Sequence, residues 1–153
     1  MAHHITGLIG RREVLSGLQG KFAGQPRFEL AGGYAFLPLD DTNLDNIVGI
    51  HDGAAISDFV YLTEQLIELL REASRGGDLA YIETEYHGGT GGQGAIVLRA
   101  GEIAFGPEWN EGGAINEALL RLGVSKRATK FDAFDTLGLG AFRSNEAFRR
   151  SSA

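Results

Sequence analysis

The clearest periodic stretch of the chain is "SDFVYLTEQLIELLREASRGG", residues 57–77. Its apolar residues recur at helical spacing and form one stripe along a helix. These residues are Phe59, Leu62, Leu66, Leu69, Leu70 and Ala73. Ser57 is a candidate N-cap, and the pair Gly76 and Gly77 suits the end of a helix. The pattern predicts an amphipathic helix that packs one face on a core.

Two shorter stretches also place apolar residues at helical spacing. They are "GRREVLSGLQGKFAG", residues 10–24, with Val14, Leu15, Leu18 and Phe22, and "GGAINEALLRLGV", residues 112–124, with Ile115, Ala118, Leu119 and Leu122. Gly17 and Gly20 weaken the first helix, each by about 1 kcal/mol relative to alanine. Gly123 is suited to end the second. Both stretches predict short helices.

A hairpin is predicted in "RFELAGGYAFLPL", residues 27–39. Two β-prone runs flank Gly32 and Gly33, and two glycines between such runs are a hairpin signal. Pro38 has no backbone N–H to donate, so it suits an edge or the end of the second strand.

Alternating runs after the long helix predict a three-stranded meander with strands at 79–87, 94–99 and 102–106. A two-residue turn at Ala100 and Gly101 pairs Arg99 with Glu102, Leu98 with Ile103 and Ile96 with Phe105. The register then points Ile82, Thr84 and Tyr86 to the core, and Glu83, Glu85 and His87 to a solvated face beside Arg99.

The order helix, hairpin, helix, meander, helix has no regular alternation of strands with crossover helices. It predicts an α+β fold: one antiparallel sheet, made of the N-terminal hairpin and the meander, with helices mainly on one face. The chain has 153 residues, of which 43% are apolar. That size and composition predict a single domain over residues 1–153.

Composition narrows the classes of function. There are 20 acidic and 14 basic residues, so the formal net charge is -6. This balance disfavours nucleic-acid binding, which draws its affinity from cationic contacts to phosphate, and it favours basic protein partners. The chain contains no cysteine, which excludes disulfides, thiolate zinc sites and a cysteine nucleophile. No apolar run approaches a membrane span, so we expect a cytoplasmic protein with no membrane contact.

The run "YIETEYHGGTGGQGAIVL", residues 81–98, contains the most distinctive candidate chemistry. Glu83, Glu85 and His87 share one strand face, and carboxylates with an imidazole are ligands for a divalent metal. The simpler interpretation is a solvated face on which Arg99 neutralises a glutamate. Residues 89–94, "GTGGQG", match the pattern G-x-G-x-x-G but precede a strand rather than a helix, which disfavours nucleotide binding. We expect a long glycine loop that acts as a ligand lid or a partner contact.

Acidic residues are concentrated in the first half of the chain. No lysine or arginine lies between Arg27 and Arg71, whereas eight acidic residues do. The segment is either an ordinary solvated surface or a docking face for a basic partner. The candidate partner-binding residues are Asp40, Asp41, Asp45 and Asp52 in the predicted acidic loop, with Glu83, Glu85 and His87 on the sheet.

Three runs in the second half of the chain, "AYIETEYHGGTGGQGAIVL", "INEALLRLGV" and "FDAFDTLGLGAFRSNEAF", resemble an uncharacterised family of small bacterial proteins. The resemblance covers Leu79 to Phe148 and implies no particular activity. In size, charge and lack of catalytic motifs, the chain is also similar in type to immunity proteins of bacterial toxin systems. That likeness implies a cytoplasmic binding protein that neutralises a basic toxin domain.

Two alternatives remain at the level of sequence. One is a small metal-dependent or ligand-binding enzyme that uses Glu83, Glu85 and His87 under the glycine loop 88–94. The other is an accessory subunit that forms a homodimer through the aromatic tail, residues 129–153. The sequence assigns no catalytic residue, no cofactor and no metal ligand.

Overall fold

A computed structural model of the chain describes residues 5–18, 27–39, 56, 59, 61–87 and 90–124. Within these residues, six strands form one open sheet: β1 (Thr6–Arg11), β2 (Phe28–Glu29), β3 (Tyr34–Pro38), β4 (Leu79–His87), β5 (Thr90–Arg99) and β6 (Glu102–Asn110). The helices are α1 (Arg12–Ser16), α2 (Glu64–Ala73) and α3 (Ala114–Leu122). Short 3-10 turns occupy Ala31–Gly33 and Ser74–Gly76.

The strand order is β2-β3-β1-β4-β5-β6, and every pairing is antiparallel. This arrangement confirms an α+β fold with one antiparallel sheet. The hairpin and the meander are not direct neighbours, however, because β1 lies between them. Leu8 of β1 pairs with Leu37 on one side and with Tyr81 on the other. The predicted composition of the sheet therefore lacked its central strand.

The sequence of β1 suits a strand that is covered on both faces. Residues 5–10 are all buried, and their apolar side chains do not alternate with polar ones. Central strands with two covered faces read as continuous apolar runs. Gly7 is required at its position because an added Cβ would collide with the backbone oxygen of Leu37 and the ring of Phe36.

The sheet separates two hydrophobic cores. Side chains alternate along a strand, so neighbours in β4 enter different cores: Leu79 and Tyr81 enter the first, whereas Ala80 and Ile82 enter the second. Helices α1 and α2 contribute to the first core, and α3 contributes to the second. The expectation of helices mainly on one face is therefore not confirmed, since both faces are covered.

Helices α2 and α3 follow the predicted patterns with shifted ends, whereas α1 covers only Arg12–Ser16 of the stretch predicted over residues 10–24, because Gly10 and Arg11 belong to β1. The Oγ1 atom of Thr63 accepts a hydrogen bond from the Leu66 N–H, so α2 starts after Thr63. Phe59 and Leu62 are buried ahead of the helix, and the predicted cap Ser57 lies outside the described residues. Helix α3 buries the four predicted apolar residues and ends at Gly123, which has a left-handed φ of 109°.

The meander register is partly confirmed. Ala100 and Gly101 have positive φ values of 53° and 85°, as in a type I′ turn. Arg99 pairs with Glu102 and Leu98 with Ile103, as predicted. An irregularity in the pairing of β5 with β6 then places Phe105 opposite Val97, so its predicted pairing with Ile96 was wrong. Strand β6 also continues to Asn110 rather than ending at residue 106.

The glycine stretch is mainly a strand, which corrects the expectation of a long loop over residues 88–94. Strand β5 begins at Thr90 and pairs with β4 from the His87–Thr90 pair onward. Only Gly88 and Gly89 lie between the two strands. The prediction of a ligand lid at this position was therefore wrong for residues 90–94.

Candidate functional site

Glu83 is buried, with 1% of its surface exposed. Its Oε2 atom accepts hydrogen bonds from the Tyr61 N–H at 3.0 Å, the Leu62 N–H at 3.0 Å and the Tyr81 hydroxyl at 2.6 Å. The prediction that Glu83 faces solvent was wrong because the chain leading into α2 covers this face of the sheet. A buried carboxylate requires such donors to offset its desolvation.

Tyr81 and Glu83 form a buried pair that fastens the segment before α2 to the sheet. Burial raises the pKa of Tyr81 well above its ordinary value, and the charge of Glu83 and their hydrogen bond raise it further. The hydroxyl therefore stays protonated and donates to the carboxylate. This arrangement explains Glu83 as a structural anchor rather than a partner contact.

Trp109 explains the glycines of β5. An added Cβ at Gly92 would lie 2.5 Å from the Trp109 Nε1 atom, and one at Gly94 would lie 2.5 Å from both Trp109 and Phe59. The rings of Phe59 and Trp109 meet edge to face, with centroids 5.3 Å apart. Gly92 and Gly94 thus leave space for the large ring of Trp109. Aromatic side chains also cover glycines of neighbouring strands in other sheets.

The structure describes the side chain of only one of the other two predicted residues of this strand. Glu85 is half-buried opposite Gly92, and His87 lies in β4 opposite Thr90 with its side chain outside the described part of the structure. In the described residues, no group of three or more His, Cys, Asp and Glu side chains is placed to hold a metal ion.

The prediction that Arg99 lies beside these glutamates was wrong. Its Nε atom donates to Asp78 at 2.9 Å, and its Nη2 atom donates to the Arg121 carbonyl at 2.7 Å. It therefore binds at the far end of β4, where Leu98 pairs with Leu79. Asp40, Asp41, Asp45 and Asp52 of the predicted docking loop lie outside the described residues, and so does the tail 129–153.

A groove of about 620 Å³ lies between α2 and β6. Its lining includes Ile56, Glu64, Ile67, Glu68, Ile103 and Pro107. Ile103 is 44% exposed, and among the described residues only Leu120, on α3, is another large apolar side chain exposed to this degree. No sequence motif joins the two elements, because β4 and β5 separate α2 from β6 along the chain.

Hydrogen bonds fix the two walls of the groove relative to each other. The Nε atom of Arg71 donates to the Gly101 carbonyl at 2.9 Å, and the Gly101 N–H donates to the Ser74 Oγ atom at 2.9 Å. Helix α2 and the turn that follows it are thereby tied to the turn that begins β6. The groove is therefore preformed at this end.

The rim of the groove is acidic. Glu64 and Glu68 lie on α2, and Glu102 begins β6. The guanidinium of Arg71 lies 2.9 Å from Glu68 and 3.9 Å from Glu102, so one cation faces two of the carboxylates. No described side chain forms an ion pair with Glu64. The rim thus keeps a net negative charge, concentrated at the start of α2.

Comparisons with known proteins found no similar protein. The chain matches no family model, no curated protein and no solved structure. Among the described residues, no helix combines the length and apolar character needed to cross a membrane. Function is therefore inferred from the geometry and charge of the described residues.

Proposed function

We propose that this protein is an acidic binding module that docks a basic segment of a partner protein. The observation that carries the proposal is the groove between α2 and β6, whose apolar floor is bordered by Glu64 and Glu68, with Glu102 next to Ile103 at the start of β6. An exposed apolar surface with a polar rim is typical of a site of protein interaction.

The two parts of the groove serve different purposes in binding. Burial of Ile103 and the adjoining apolar surface contributes about 25 cal/mol for each Å² removed from water, from which the entropic cost of association is subtracted. The carboxylates steer a cationic partner and raise its association rate, and their contribution weakens as salt increases. The net charge of -6 acts in the same direction over longer distances.

The most specific form of the proposal is an immunity protein. Here the partner is a basic toxin domain in the cytoplasm, and the bound module blocks the toxin's active surface. The support consists of the acidic groove and the likeness in type described above. Asp40, Asp41, Asp45 and Asp52 are proposed to extend the acidic surface that the partner meets.

The test is the salt-dependent affinity of a purified partner. Proteins retained by the immobilised full chain are identified and purified. Their dissociation constants are measured from about 50 to about 300 mM salt, a roughly sixfold range over which interactions between exposed charges are progressively screened. We expect a basic partner whose affinity falls roughly three- to tenfold in the triple variant Glu64→Gln, Glu68→Gln and Glu102→Gln, with a shallower salt dependence.

The matched control is the variant Glu13→Gln and Glu117→Gln, which neutralises exposed glutamates on α1 and α3. It should bind the partner within about twofold of the wild type, because distant surface charges contribute little. Equal affinity of the rim variant and the wild type at low salt would contradict docking at the groove.

A further inference from the structure

We infer that the groove recognises an apolar side chain adjacent to a lysine or arginine in one short segment of the partner. The apolar side chain inserts between Ile67 and Ile103, and the cationic side chain pairs with Glu64. This inference rests on the proposed function and specifies the chemistry of the partner at the same site.

The position of the cation follows from the ion pairs already present. Glu68 and Glu102 both face Arg71, so their charges are partly satisfied within the protein. Glu64 forms no ion pair with a described side chain, and it lines the same groove as Ile103. A cation from the partner gains most at a carboxylate that forms no ion pair with a described side chain, which is Glu64.

The position of the apolar side chain of the partner follows from the exposure of Ile103. Ile103 is 44% exposed although Ile67, on the facing helix, is 8% exposed. An inserted side chain would cover Ile103 and contact Ile67 without any movement of the walls, which Arg71, Ser74 and Gly101 hold together. A groove of about 620 Å³ has room for a few side chains, so a short segment suffices.

Addition of a strand to β6 is the less favourable mode of docking. Pro107 has no backbone N–H, and the pairing of β6 with β5 is irregular near Val97. Proline, strand irregularity and charges such as Glu102 are features that discourage edge-to-edge pairing. Side-chain insertion uses the groove itself and does not require a regular edge.

The experiment selects peptides from a phage-displayed library of random dodecapeptides, with the full chain as target. We expect the enriched sequences to place a lysine or arginine within two residues of Leu, Ile, Met, Val or Phe. Synthetic versions of these peptides should bind Ile103→Glu at least tenfold more weakly and Glu64→Gln at least threefold more weakly than the wild type. Glu117→Gln, on α3 and outside the groove lining, should change their affinity by less than twofold.

Leu120→Glu is the matched control, because Leu120 is the comparably exposed apolar residue on α3. It should leave peptide affinity within twofold. Ile103→Ser repeats the test without a new charge, and urea denaturation of each variant verifies folding. No enrichment, enrichment without the basic–apolar pattern, or affinity insensitive to both Ile103 variants would each overturn the inference.

Two further outcomes separate this inference from the proposed function. A purified basic partner that depends on the rim glutamates but not on Ile103 would overturn the insertion mode and leave the acidic binding function standing. A wild-type dimer that Ile103→Glu converts to a monomer, as seen in sedimentation, would identify a second copy of the chain as the occupant and would overturn the assignment to a partner segment.

Discussion

Single residues determine how the chain entering α2 is held on the sheet. Glu83 is the common acceptor for the Tyr61 N–H, the Leu62 N–H and the Tyr81 hydroxyl. Each buried donor left without an acceptor costs about 1–3 kcal/mol. We expect Glu83→Ala to lower the free energy of unfolding by about 3–5 kcal/mol and Glu83→Gln by about 1–2 kcal/mol, as measured by urea denaturation.

The control for Glu83 is Glu85→Ala on the same strand. Glu85 is half-buried, and its removal should cost less than about 1 kcal/mol. Equal losses at the two positions would show that the three hydrogen bonds to Glu83 contribute little to stability.

Ionisation of Tyr81 makes the free energy of unfolding depend on pH in the alkaline range. Its pKa is raised by burial and by the charge of Glu83. The folded protein therefore keeps a proton that the unfolded chain releases above about pH 10. The stability associated with Tyr81 is complete below that pH and is lost as pH rises toward the folded pKa. We expect the free energy of unfolding to fall more steeply above about pH 10 in the wild type than in Tyr81→Phe.

Ultraviolet absorbance provides an independent measurement of the same effect. The chain has 4 tyrosines, and at least one of them should gain phenolate absorbance only when the protein unfolds. Parallel pH profiles for the wild type and Tyr81→Phe would contradict the role assigned to the buried pair.

At the scale of elements, β5 and β6 fit together only because glycine lies beneath Trp109. A methyl group at Gly94 would meet Phe59 and Trp109 at 2.5 Å. Overpacking of this kind costs about 1–3 kcal/mol, so Gly94→Ala should lower the free energy of unfolding by that amount. Trp109 is the only tryptophan, so its fluorescence reports the disturbance directly.

Gly112→Ala is the control for this prediction. A Cβ at Gly112 would meet nothing within 4 Å, so the variant should retain the stability of the wild type within about 0.5 kcal/mol. Unchanged fluorescence and stability in Gly94→Ala would mean that the ring of Trp109 does not rest on β5.

At this scale, helix α3 was predictable from the sequence, whereas strand β1 was not. Helix α3 matches its apolar stripe and its terminal glycine because it packs one face on the second core. Strand β1 lacks alternation and contains Gly7 and Gly10, so its short run resembled no strand. Glycine also weakens strands in general. The glycines of residues 90–94 therefore gave no strand signal, and the first half of β5 was not predicted.

The candidate site was less predictable than the fold. Glu83 has the position of a solvent-facing residue in an alternating strand, and only the chain before α2 buries it. The groove depends on packing between α2 and β6, which no local pattern encodes. The predicted roles of Asp40, Asp41, Asp45 and Asp52 remain predictions.

At the scale of the whole molecule, the groove and the predicted acidic loop, with Asp40, Asp41, Asp45 and Asp52, are proposed to form one docking surface. If the loop contributes, the triple variant Asp40→Asn, Asp41→Asn and Asp45→Asn should weaken partner binding and flatten its salt dependence. Combination with Glu64→Gln measures whether the two regions act independently. Unchanged affinity in the triple variant would restrict docking to the groove.

The central position of β1 has a consequence for how the chain is made. Thr6 pairs with Glu83, a residue that the ribosome adds more than 70 residues later. At 5–20 residues per second, β1 waits roughly 4–15 s for its second partner. Ribosome-bound chains arrested before residue 79 should therefore be cut by trypsin at Arg11 and Arg12, and the released full chain should resist. For those seconds the nascent protein exposes an apolar strand, so its yield in a cell will depend on how well chaperones cover that strand.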